Sequence, residues 1–73
     1  MDYMQKVDGK RIARLRKEKD MTQAKFAEAI GRPGAAGQVS AWECNARQPR
    51  PETVRKMAEV LGVDWETLYR FTV

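Results

Sequence analysis

Three helical runs of apolar residues in this chain are each soon followed by a residue that stops helices. Val54, Met57, Ala58 and Leu61 recur at i, i+3, i+4 and i+7, the cleanest helical period present, and Gly62 ends it. Ile12 and Leu15, with the stem of Lys19 at i+7, mark a first helix over residues 8–20, with Asp8 as its N-cap and Gly9 at its fraying end. Thr22 caps a second helix whose stripe is Phe26, Ala27 and Ile30, with Met21 positioned to staple onto it and Gly31 as its stop. Arg32-Pro33-Gly34 is a turn on its chemistry alone. A third helix runs from about Ala36 to Cys44, with Val39 and Trp42 inward and Asn45 suited to the left-handed residue at its end. Residues 47–51, Arg-Gln-Pro-Arg-Pro, form an extended linker, and Pro51 suits the first position of the fourth helix. Asp64 caps a fifth, short helix with Trp65, Leu68 and Tyr69 as its apolar face. No segment gives a strand signal. The expected architecture is all-α: five short helices in a single domain over residues 1–73.

Composition narrows what such a bundle does. With 42% hydrophobic and 33% charged residues the chain suits a folded domain rather than a disordered one. Its net charge of +4 is compatible with a polyanionic partner, because Lys and Arg displace the counterions condensed on phosphates. Cys44 is the single cysteine, which excludes an internal disulfide and fits a reducing cytoplasm. With no His and one Cys, no metal site of soft ligands is expected, and no cofactor. There is no apolar run of the ~20 residues that span a bilayer, and residues 1–6 lack the apolar core of a signal peptide. No nucleophile–base constellation or phosphate-cradling glycine loop is present, so neither an enzyme nor a small-molecule substrate is expected.

The second and third helices, separated by a Gly-containing turn, make a helix-turn-helix pattern. A major groove about 12 Å wide admits one helix, provided its outer face is small or polar and its inner face is anchored. Val39 and Trp42 are the anchors, and Ala36, Gly37, Gln38, Ser40 and Ala41 are the candidates for contact with base edges. Several segments in this order resemble the lambda-repressor-like, Cro-type (XRE) helix-turn-helix family. They are Ile12-Ala13-Arg14-Leu15-Arg16, Met21-Thr22-Gln23, Phe26-Ala27, Ile30-Gly31, Val39-Ser40-Ala41-Trp42-Glu43, Arg47-Gln48-Pro49 and Ala58-Glu59-Val60-Leu61-Gly62-Val63. The resemblance covers about residues 9–70. It implies a transcriptional regulator, most simply a repressor, that binds double-stranded DNA as a homodimer with helix three in the major groove.

The resemblance also implies roles. Gln23, at the start of helix two, is to touch a phosphate, which the positive end of a helix favours. Arg16 is to pair with Glu43 and tie helix one to helix three. Arg47 and Arg50 are to lie along the DNA backbone, where the guanidinium fork grips phosphate. Arg32 shares this case, Arg11 and Lys10 less so, and Arg14, Lys17 and Lys19 read as the solvated face of helix one. The chain departs from the family pattern between Gly31 and Val39, where seven residues stand instead of about five. Asn45 takes the place of a common Gly, and Cys44 that of a common Asn, where it reads as a plain small residue. Tyr69, Phe71 and Val73 are candidates for self-association. The competing reading is a protein-interaction module, such as an antitoxin, on the same scaffold.

Overall fold

The computed structural model describes residues 5–71. In chain order they form strand β1 (Gln5–Val7), helices α1 (Gly9–Glu18), α2 (Gln23–Ala29), α3 (Ala36–Glu43) and α4 (Pro51–Leu61), a single 3₁₀ turn (Trp65–Leu68), and strand β2 (Tyr69–Phe71).

The helices start where their caps dictate. The Asp8 carboxylate accepts the Arg11 amide at 3.2 Å and the Thr22 hydroxyl accepts the Lys25 amide at 3.1 Å. Pro51 occupies the first turn of α4. All four helices end in one way, with a left-handed residue and two reversed backbone bonds that satisfy the last carbonyls. The left-handed residues are Asp20, Gly31, Asn45 and Gly62. At α1, for example, Met21 N–H donates to Arg16 O and Asp20 N–H to Lys17 O; at α3, Ala46 donates to Ala41 and Asn45 to Trp42. Lys19 is the C-cap of α1, one residue before the left-handed Asp20. Lys19, expected to cover the core with its stem, is exposed, and its amine lies near Gly62.

The core takes one or more residues from every element through the 3₁₀ turn. Ile12, Phe26, Val39, Val54, Met57, Leu68 and Val7 are fully buried, with Ala27, Ile30, Trp42, Ala58 and Leu61 around them. Burial of side chains of this size stabilises by roughly 1.5–3 kcal/mol each, set against the ordering entropy of the chain. Leu15 and Met21 pack on the rim.

Three further expectations are corrected. The fifth helix is one 3₁₀ turn, so there are four α-helices among the described residues. With only one turn it buries Leu68 alone, and Trp65 stays 41% exposed, stacked edge-on against Tyr69 and beneath the Arg55 guanidinium. A two-stranded antiparallel ribbon was not expected: Gln5, Lys6 and Val7 pair with Phe71, Arg70 and Tyr69. Three-residue strands are too short to show a period, and their pairing joins distant parts of the chain. Gly9 is not a frayed end. It is buried where α1 crosses the last turn of α3, so close that a Cβ would strike the Trp42 carbonyl and stand 2.6 Å from that of Glu43. Val73 lies outside the described residues.

Candidate nucleic-acid interface

The extra residues between α2 and α3 form a turn of their own. Ala35 N–H bonds back to Arg32 O at 3.1 Å, with Pro33 and Gly34 at the two central positions and Gly34 at φ 84°. Proline followed by a left-handed glycine is the signature of a type II turn. The insertion is thus absorbed as one exposed β-turn, and α3 begins directly after it at Ala36.

Val39 and Trp42 are buried and fix α3 to the core. At 100° per residue, Gly37, Ser40, Ala41 and Cys44 then fall on one outward line at i, i+3, i+4 and i+7. Gly37 and Cys44 are exposed, and Ser40 and Ala41 half-exposed. A Cβ on Gly37 would meet nothing within 4 Å. Ala36 is half-buried at the first position of α3, and Gln38 is exposed toward one flank. Cys44 was read from the sequence only as a small residue; its spacing from Gly37 is the signal that places it on this line.

The flank toward α2 is held by an ion pair. Arg16 donates to Glu43 through Nε at 2.7 Å and Nη2 at 3.1 Å, and through Nη1 to the Met21 carbonyl at 2.7 Å. Both side chains are more than nine-tenths buried. Gln23 Nε2 donates to the same carboxylate at 2.9 Å. Three donors on one carboxylate offset the cost of taking it from water. The side-chain amide of Gln23 is therefore occupied in fixing α2 to the end of α3, a role the sequence did not suggest.

The opposite flank is a hollow of about 450 Å³ lined by Arg32, Gln38, Trp42, Arg47, Gln48 and Arg50. It brings together three of the four residues expected to meet phosphates. The Arg32 guanidinium reaches Gln38 Oε1 and the Thr53 hydroxyl, each at 3.4 Å. Gln48 Oε1 accepts the Val7 amide at 2.9 Å, and Pro49 is buried, so the linker carrying Arg47 and Arg50 is moored to β1 and to the core. A half-buried to exposed strip of small side chains thus lies between Gln23 on one side and three arginines on the other. Among the described residues, no three His, Cys, Asp or Glu side chains are grouped to hold a metal ion, and no helix is long and apolar enough to cross a membrane.

An anchored helix of small outer residues, preceded by a packed helix and bordered by arginines, defines a helix-turn-helix domain. A helix-turn-helix family model matches residues 12–68, and the chain belongs to this lambda-repressor-like, XRE-type family. Among solved structures it is similar to SinR, the master regulator for biofilm formation, in complex with DNA, at 34% identity and a TM-score of 0.74, over 82% of this chain and 94% of that one. It is also similar in fold to the P22 c2 repressor in complex with a synthetic operator, at 24% identity and a TM-score of 0.77, over 86% of this chain and 92% of that one. A sequence search of curated proteins finds no match.

Proposed function

We propose that this protein is a sequence-specific, double-stranded-DNA-binding transcriptional regulator that represses by occupying its operator, with α3 in the major groove. The observation that carries this reading is the outward line of α3. Gly37, Ser40 and Ala41 leave the helix backbone free to approach base edges, and the anchors Val39 and Trp42 lie behind it. Gln38 is the residue with the reach to read a base by hydrogen bonding, and Ser40 adds a hydroxyl. Ala36 and Ala41 offer methyl contact to thymine. Arg47, Arg50 and Arg32 hold one phosphate strand, and the positive end of α2, at the Gln23 backbone, meets the other.

The protein binds as a homodimer on two half-sites about 34 Å apart. Exposed Trp65 is the natural contact between copies, since Arg55, Glu59 and Asp64 line the depression beside it and supply both signs of charge to a two-fold interface. Tyr69 packs edge-on against the Trp65 ring.

Selection from random duplexes tests the reading. Wild-type protein is expected to enrich a two-fold-related motif. Gln38→Ala relaxes preference at one position per half-site, whereas Arg47→Ala weakens all sequences about equally and lowers the salt slope by about 1 per half-site. No enrichment, with binding indifferent to salt, overturns the proposal in favour of a protein-interaction module.

A further inference from the structure

A second cationic hollow, which the reading above does not use, lies on the other side of the turn that follows α3. It has a volume of about 600 Å³ and is lined by Asp8, Lys10, Arg11, Arg14, Asn45 and Arg70. Asp8, its one acid, is engaged in capping α1. Arg11 is fixed in place by a 3.1 Å bond from Nη1 to the Thr67 carbonyl. Arg14 has only a loose contact with Glu18, at 4.0 Å between two exposed side chains.

The ribbon adds a second, independent observation. Lys6 and Arg70 are direct cross-strand partners, so their side chains leave the sheet on the same face, and both are exposed. Like charges directly opposite each other destabilise a strand pair. The β1–β2 ribbon therefore holds two cations together at its own cost, beside a hollow that carries three more. An anion seated there offsets both repulsions.

The position of the hollow identifies the anion. Asn45 Oδ1 accepts the Gly9 amide at 3.1 Å, which locks the start of α1 against the end of α3. Asn45 lines this hollow, and Arg47, two residues on, lines the arginine hollow beside α3. The turn Cys44–Arg47 between them is exposed throughout. A phosphate strand held by Arg47 and Arg50 and continued over this turn enters the second hollow.

We propose that the hollow between the start of α1 and the β1–β2 ribbon is a second phosphate site, which Lys6, Lys10, Arg14 and Arg70 form for the backbone of the same duplex beyond the bases read by α3. This inference rests on the DNA-binding reading and extends it. The ribbon then has a function besides closing the fold: it carries Lys6 and Arg70 to flanking DNA.

The test uses the full chain and a duplex recovered by the selection, prepared in two lengths. One ends at the recognised bases and the other runs about one helical turn (~10 bp) further. Affinity is measured by fluorescence anisotropy from 50 to 200 mM salt for wild type, Lys10→Gln/Arg70→Gln, and the charge-matched control Lys19→Gln/Lys56→Gln. Two phosphates per protomer at ~0.9 each in slope amount to about 1.8 for each half-site, or roughly a twelvefold smaller loss of affinity per bound protomer over that salt range for the first variant on the long duplex. On the short duplex the same variant is expected to match the control. Arg70→Gln relieves the Lys6 repulsion and is expected to melt no lower than wild type. If it does melt lower, Lys10→Gln/Arg14→Gln, confined to the exposed face of α1, replaces it with the same expected slopes. Equal slopes for site and control variants on the long duplex overturn the second site while the α3 reading stands. A selection that recovers no duplex overturns both.

Discussion

The Glu43 carboxylate is the residue on which α1, α2 and α3 converge. Arg16 and Gln23 both donate to it, and Arg16 also reaches the Met21 carbonyl. Breaking a buried pair by removing one partner costs about 3–5 kcal/mol, because the other charge is left in place without compensation. A small domain has only about 5–15 kcal/mol in total. Arg16→Ala is therefore expected to lower the melting temperature by more than ~12 °C, or to leave the protein unfolded at room temperature, as read by circular dichroism. Gln23→Ala removes one donor of three and should cost only about 1–2 kcal/mol. Equal effects from the two would mean that the guanidinium is not the main compensation for Glu43. Gly9 sets a different demand. A methyl there meets two backbone carbonyls, which cannot move as a side chain does, so Gly9→Ala should cost about 1–3 kcal/mol in a urea titration. The Arg16–Glu43 pair was legible through family resemblance and the cost of an unpaired carboxylate. The requirement at Gly9 was not, because it arises from α3, more than thirty residues away in sequence.

The helices were legible in the sequence because their limits are local. Asp8, Thr22 and Pro51 start them, and Gly31, Asn45 and Gly62 stop them, each by chemistry within a few residues. Asp20 escaped notice since an aspartate seldom signals the left-handed region as glycine does. The fifth helix and the ribbon went wrong for a shared reason. Four residues of 3₁₀ turn and three of strand carry too little pattern, and long-range contacts decide their form: the Asp8 amide bonds to the Leu68 carbonyl at 2.8 Å and seats the end of the chain on the start of α1. Of the candidate interface, the anchors Val39 and Trp42 and the three arginines were readable, whereas Cys44, seven residues after Gly37, was passed over because it was read only as a small residue. That helix gives a prediction in which stability and binding move in opposite directions. Gly37 has ordinary helical backbone and open space around it, so Gly37→Ala should stabilise the fold by about 0.8–1.0 kcal/mol. The same methyl stands on the line proposed to face the bases and should weaken duplex binding. Chemical denaturation and anisotropy on one protein preparation check both. A variant that is more stable and binds as tightly as wild type would remove Gly37 from the contact surface.

At the scale of the whole molecule the question is how one small domain spans an operator. Its longest extent is 38 Å and its other extents are 22 and 19 Å. Two copies in contact can therefore set their α3 helices about one turn of DNA apart, ~34 Å, without a separate dimerisation domain. Trp65 is the one large apolar side chain exposed among the described residues, and it belongs to the turn after α4 rather than to α3 or its arginine hollow. An aromatic anchor at an interface typically costs 2 kcal/mol or more when truncated. Trp65→Ser is accordingly expected to reduce affinity for a duplex with two half-sites by roughly 30-fold, at 1.4 kcal/mol per factor of ten. Affinity for a single half-site should remain within about twofold, since no atom proposed to touch DNA has changed. Sedimentation velocity should show two wild-type protomers on the two-site duplex at a concentration where the variant places only one. Loss of half-site affinity to the same degree would instead mean that Trp65 supports the fold or the DNA face, and would send the search for the contact between copies elsewhere on the molecule.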